Sequence, residues 1–322
     1  MYMKTSSFYR LTVSLLTLLI SFSLQAQVKG YEKIKWEMEK IAPGLIWKSS
    51  HTIIDDTIPQ NINILIVDTR KRDVSILYNP EKNIKTSIQA TEAKALAAVN
   101  AGFFNIKDGG SATYIKVNGM IVDSDTSKKW KRLANMNGSV VIDTDGNVQI
   151  MKAMDNSWYD SMSEYHDALI TGPLLVQDKK KVTLPQTSLV IARHPRSCIG
   201  TVGKHKVILL TLDGRTAQAS GMTLIQLADL MLLLNCSEAV NLDGGGSTTM
   251  FIRGKPFNGV VNMPATTKNS TTKAKERYQI LYLLSNNYLS LVFASTSSAQ
   301  DIFTISAQNS KLHCPDRSLR VW

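Results

Sequence analysis

Residues 240–250 (VNLDGGGSTTM) combine more reactive chemistry than any comparable stretch of the 322-residue chain. An apolar strand here delivers Asn241 and Asp243 to one face, because alternate residues of a strand share a face. Gly244, Gly245 and Gly246 then let the main chain turn sharply and approach a ligand. Their N–H groups can converge on an anionic oxygen, with Ser247 and Thr248 adding hydroxyls. No Lys-Ser/Thr pair follows, so the turn is not a nucleotide-triphosphate loop. Residues 209–215 (LLTLDGR) repeat the plan, an apolar strand ending in Asp213, Gly214 and Arg215. Arg193, His194 and Arg196, in RHPRS, place two guanidiniums beside an imidazole, and arginine pairs suit bidentate recognition of phosphate or carboxylate. Asn100 opens NAGFFN, where amides around a glycine suit sugar contacts while Phe103 and Phe104 read as core.

NAGFFN at 100–105, TGPLLV at 171–176, RHPRS at 193–197, LDGR at 212–215, NLDGGGST at 241–248 and Glu276-Arg277 occur in that order. Together they resemble the phosphodiester glycosidase family over about residues 45–285. Lys275 stands where members tend to carry glycine. The resemblance implies cleavage of an α-glycosyl 1-phosphodiester into free sugar and phosphomonoester. An oxocarbenium-like transition state favours a carboxylate beside the anomeric carbon. A phosphate-ester leaving group is already a stable anion, so stabilising negative charge matters more than strong acid assistance. On that basis Asp243 is expected nearest the anomeric centre, as base or nucleophile, with Glu276 or Asp213 as the second carboxylate. Arg193, Arg196, Arg215 and the Gly244–Gly246 turn are expected to hold the phosphate, with His194, Ser247, Thr248 and Arg277 also in the substrate site. Asn100 and Asn241 are expected on sugar hydroxyls.

Two other readings remain open on the same residues. One is a non-catalytic binder of envelope or extracellular polysaccharide. The other is a phosphodiesterase in which Asp213, Asp243 and Glu276 ligate a divalent ion, as hard oxygen ligands permit. The glycosidase reaction itself requires no cofactor. A serine hydrolase is disfavoured, since no GxSxG elbow is present.

The elements that must carry these residues are mostly strands. Residues 45–54, 62–68 and 73–78 are apolar and β-branched and read as strands, and 97–99 as another after a helix over 86–96. Asn118-Gly119, Asp145-Gly146 and Gly203-Lys204 mark three hairpins. The clearest helix covers 223–234, where Thr223 and Gln226 make a capping box and Leu224, Leu227, Ala228, Met231 and Leu234 line one face. Hairpins with a few helices predict an α+β fold of mostly antiparallel or mixed sheets, in a single domain over 27–285. Residues 286–322 are serine-rich without a period and read as a loosely ordered tail.

Composition sets the outer bounds: 43% hydrophobic, 20% charged and only three cysteines exclude a disordered chain and a disulfide scaffold. Lys4 and Arg10 precede a 14-residue apolar run ending at Leu24, which predicts a cleaved secretion signal over 1–26 and a periplasmic or extracellular protein with no stable membrane insertion. Its removal lowers the formal charge from +11 to +9. The basic clusters sit in no nucleic-acid module, so the expected partner is a phosphorylated glycan or sugar phosphodiester and not nucleic acid. Cys198, Cys236 and Cys314 allow one disulfide or buried free thiols. The five histidines show no zinc-site spacing.

Overall fold

The computed structural model describes residues 30–79, 84–104, 110–123, 135–265 and 279–284. All of these belong to one compact unit, residues 1–288. The expected signal segment, the tail from 286, Glu276 and Arg277 lie outside the described residues.

The strands in chain order are β1 (Glu37–Ala42), β2 (Leu45–Ile54), β3 (Ile58–Asp68), β4 (Asp73–Tyr78), β5 (Ala97–Asn100), β6 (Ile115–Val117), β7 (Met120–Asp123), β8 (Gly138–Asp143), β9 (Val148–Lys152), β10 (Tyr165–Thr171), β11 (Leu174–Gln177), β12 (Lys180–Lys181), β13 (Arg196–Val202), β14 (Lys206–Leu212), β15 (Glu238–Asn241), β16 (Met250–Ile252) and β17 (Gln279–Leu284). Among the described residues four α-helices accompany them: α1 (Thr86–Glu92), α2 (Asn156–Ser161), α3 (Ser188–Ile191) and α4 (Leu224–Leu233). The strands form three antiparallel sheets. The eight-stranded sheet has the order β1-β2-β3-β14-β13-β15-β11-β12, the five-stranded sheet β7-β6-β10-β8-β9, and the four-stranded sheet β16-β5-β17-β4.

β14 shows why the large sheet is central. Its sequence KVILLTL is almost continuously apolar, as expected for a strand covered on both faces. Val207 and Leu209 point into a core shared with β4, β5, β8, β9 and β16. Ile208, Leu210 and Leu212 point into a second core beneath α4. The smaller sheets therefore cover one face and α4 the other. Leu224, Leu227, Leu230 and Met231 of α4 are buried there, each stabilising by roughly 1.5–3 kcal/mol. Thr223 caps the helix as its sequence predicts: its Oγ1 accepts from Gln226 N at 3.1 Å, and Gln226 Oε1 accepts from Thr223 N at 3.2 Å.

The hairpins fall where their turn residues place them, with Asn118 at φ 51° and Gly119 at φ 74°. Two boundaries differ from expectation. The helix expected over 86–96 stops at Glu92, because Lys94 turns left-handed at φ 51° and residues 97–100 are drawn into pairing with β16 and β17. β3 begins at Ile58, ahead of the expected residue 62. Pro59 is tolerated there because β14 ends at Leu212, opposite Ile62, and on that side Pro59 only accepts, from Ser220 N at 2.9 Å. Cys198 and Cys236 are buried free thiols, and Cys314 lies outside the described residues.

Candidate active site

β14, β15 and the start of β13 meet at one end of the large sheet, where the loops pack main chain against main chain. A Cβ added at Gly244 would lie 2.7 Å from Pro195 O; at Gly214, 2.8 Å from Pro195 N; at Gly221, 2.5 Å from His194 O. Any side chain at these positions would force the loops apart. Hydrogen bonds fix the nesting. Gly245 N donates to Pro195 O at 2.9 Å, and His194 and Met222 exchange backbone bonds at 3.3 and 3.1 Å.

Asp243 is held at this junction by its own backbone. Its N–H donates to Ala101 O at 2.8 Å, and its carbonyl accepts from Asn100 Nδ2 at 2.6 Å. The half-buried carboxylate accepts from Gly244 N at 2.9 Å and from the Ser247 side chain. Burial pushes its pKa up to about 6, although both donors pull the other way. Arg215, exposed and at φ 63°, lays its guanidinium over Gly245, where an added Cβ would sit 3.2 Å from Nη2. The same Nη2 lies 3.0 Å from His194 Nδ1. Burial, then the charges of Arg196 and Arg215, lower the His194 pKa. The ring is therefore neutral at pH 7, and with Nδ1 accepting from Arg215 its proton resides on Nε2.

Asp213 ends β14 in the opposite condition, fully sealed from solvent. Oδ1 accepts from Asn262 Nδ2 and Met263 N, both at 2.9 Å, and Oδ2 accepts a short bond from Asn61 Nδ2. Burial raises its pKa to about 6 against those three donors. Asn61, Asn262 and Met263 were not singled out by sequence. They lie 152, 49 and 50 residues from Asp213, and no local pattern marks them.

Several sequence expectations are corrected by these contacts. Asn100 and Asn241 are 1% and 2% exposed, too buried for sugar hydroxyls. Asn100 Oδ1 accepts from Ser197 Oγ at 2.6 Å and Thr249 N at 3.0 Å, so this amide ties three segments together. Asn241 Nδ2 donates to Gly172 O and Leu242 O at 2.8 and 2.7 Å. Arg196, 2% exposed, gives Nε to Met222 O at 3.0 Å and Nη2 to Leu189 O and Ala192 O, each at 2.8 Å. Arg193 Nη1 donates to Gln226 Oε1 at 2.9 Å, and its Nη2 lies 3.9 Å from Asp55. Both arginines thus brace loops, leaving Arg215 as the guanidinium at the turn. The Gly244 and Gly245 amides are committed to Asp243 and Pro195, so only the Gly246 amide of the three has no protein acceptor among the described residues. Thr248 is fully buried, and Ser247 serves Asp243.

For the metal alternative, Asp213 faces three N–H donors, a set that suits an anion and opposes a cation. Among the described residues no group of three acidic, histidine or cysteine side chains converges on a metal position.

A solved zebrafish structure, the N-acetylglucosamine-1-phosphodiester alpha-N-acetylglucosaminidase catalytic domain auto-inhibited by its pro-peptide, shares the fold with TM-score 0.60 and 20% identity, covering 78% of this chain and 87% of that one. A hypothetical protein from Synechocystis gives TM-score 0.57 and 13% identity over 77% of this chain and 63% of the other. These two likenesses concern the fold alone. In sequence, the SPbeta prophage-derived uncharacterized protein YomE of Bacillus subtilis (strain 168) is 35% identical over 91 residues, 28% of this chain and 14% of that protein. The bovine (Bos taurus) N-acetylglucosamine-1-phosphodiester alpha-N-acetylglucosaminidase is 39% identical over 59 residues, 18% of this chain and 11% of that enzyme. The matched segments thus span a small part of both curated relatives. Residues 93–278, more than half of the chain and including every loop of the junction around Asp243, match the phosphodiester glycosidase family, and the chain belongs to it.

Proposed function

We propose that this chain is an exported glycosidase that hydrolyses a glycosyl 1-phosphodiester to free sugar and a phosphomonoester. One observation carries the reading: the Arg215 guanidinium, joined to His194, covers the glycine turn that presents the Asp243 carboxylate. A carboxylate for the sugar carbon and, for the departing phosphate, one cation with a neutral imidazole donor are then neighbours.

In this mechanism the anomeric C–O bond breaks and its electron pair leaves on the phosphate oxygen. Arg215 and the Nε2–H of His194 receive the developing phosphomonoester charge, and the Gly246 amide can add a donor. The leaving group is already a weak base, so no strongly acidic residue is needed opposite it. Asp243 stabilises positive charge at the anomeric carbon, as base toward the attacking water or as nucleophile. Water supplies the hydroxyl of the released sugar and its proton passes to the carboxylate. With a pKa of about 6, Asp243 is ionised at pH 7 and basic enough to accept it. Asp213 acts at one remove, fixing the 262–263 loop. Glu276 remains the proposed second carboxylate.

Export rests on the basic start and apolar run within residues 1–26, with 27–285 as the catalytic domain and 286–322 as a tail. Among the described residues no helix is long and apolar enough to cross a membrane.

The test is a release assay on purified protein with a panel of sugar-1-phosphodiesters, using phosphomonoesters and simple glycosides as controls. Release of sugar and phosphomonoester from phosphodiesters only, lost in Asp243→Asn, is the expected result. Equal turnover of simple glycosides, or full activity in Asp243→Asn, would overturn it.

A further inference from the structure

A concavity lies at the far end of β13 and β15. From Asp243 back to Glu238, β15 covers roughly 16 Å at about 3.3 Å per residue. There the ends of β11, β13 and β15, the Gly203-Lys204 turn and the β8–β9 hairpin line an open groove of about 640 Å³.

Its lining is built for hydrogen bonding. Thr201 lines the groove and is only 6% exposed. Alternation along β13 puts it on the same face as Ile199, toward β9. Glu238 Oε1 accepts from Asp178 N at 3.0 Å, while Oε2 has no protein donor among the described residues. Burial and the neighbouring Asp178 charge raise the Glu238 pKa, so this carboxylate gains from a further donor. Gln149, Gln177 and Lys204 surround these two groups, and Met151 contributes an adaptable apolar wall.

Other ligand classes fit less well. Asp143, Asp145 and Glu238 repel phosphate, with Lys204 the opposing charge in the lining. A divalent ion is disfavoured because Asp143 is committed to Asp145 N, Asn147 N and Asn147 Nδ2 at 2.8–3.0 Å, and the three acids do not converge. A carboxylate, two amides, a buried hydroxyl and an ammonium beside apolar CH-facing walls suit a neutral, hydroxyl-rich ligand.

We propose that this groove is a second carbohydrate site that binds an uncharged oligosaccharide segment independently of the Asp243 centre. It does not depend on the proposed hydrolysis, since Asp243→Asn leaves the groove intact.

Binding is measured by titration calorimetry with tetrasaccharides of glucose, mannose and N-acetylglucosamine, and with spermidine as the cationic control. Wild type and Asp243→Asn should bind at least one tetrasaccharide equally. Glu238→Gln combined with Gln177→Ala should weaken that binding at least about tenfold, as expected for losing hydrogen bonds to a charged group. Thr201→Val, a near-isosteric change, should weaken it less with an unchanged melting temperature. Phosphodiester turnover, if present, should not change in the groove variants. No tetrasaccharide binding at millimolar concentration, preferential spermidine binding, or loss of binding in Asp243→Asn alone would each overturn the proposal.

Discussion

β14 and β15 lie on either side of β13, and each is followed within two residues by an aspartate and then a glycine, so the two ends read as versions of one motif. The fold gives them opposite surroundings. Asp213 is sealed and accepts from Asn61, Asn262 and Met263, while Asp243 is half-open and accepts from Gly244 and Ser247 within its own turn. Burial raises both to about pKa 6. An elevated pKa alone therefore does not separate a reacting carboxylate from a structural one. We assign the reaction to Asp243 because the Arg215–His194 pair lies over the glycine turn that follows it.

The largest expected difference between the ends is in turnover. Asp243→Asn should lower kcat by about 10³–10⁴, the upper range for losing a positioned base or nucleophile, with little change in unfolding free energy. Steady-state rates beside a urea titration check both halves. Asp213→Ala should reverse the pattern and cost about 3 kcal/mol of stability by leaving three donors without an acceptor, seen as a lower urea midpoint at unchanged slope. Arg215→Ala should cut kcat/KM by about 10²-fold without altering that midpoint, in line with losing one transition-state donor; Arg196→Ala should instead destabilise the fold. A destabilised Arg215→Ala would merge the two classes of arginine.

The smallest effects are in pH. If ionised Asp243 is required, kcat/KM should rise about tenfold per pH unit toward pH 6 and level off above it. For Asp213 the folded state holds its proton up to about pH 6, whereas the unfolded chain releases it near 3.9. Stability should therefore fall as pH rises from about 4 to 6, by on the order of 2 kcal/mol, and change little from this group above 6. Thermal melts of wild type and Asp213→Asn across that window measure the slope, which the variant should roughly halve, leaving the similar contribution of Asp243.

Much of this fold is local in origin, which is why it is legible in sequence. Asn118-Gly119 dictates its own turn, and Thr223 with Gln226 caps its own helix. Lys94 shows the limit: residues 86–96 are good helix formers, but sheet pairing captures 97–100 and forces the break before them. The reactive segments are legible too, because glycine, aspartate and arginine cluster around them. Which arginine faces the turn is not, since Arg193 and Arg196 are claimed by Gln226, Met222, Leu189 and Ala192, partners set by how α3 and α4 pack. Asn262 and Asn61 are invisible for the same reason, since each meets Asp213 only through the fold.

The nested glycines 214, 221 and 244 carry a consequence for how such an enzyme diversifies. A floor made of bare backbone touching bare backbone cannot be resculpted one substitution at a time, because each new methyl group collides with peptide atoms that have nowhere to move. If the proposed activity holds, changes in substrate preference come from Arg215, Met263 and the loops around them, while the floor stays a fixed casting.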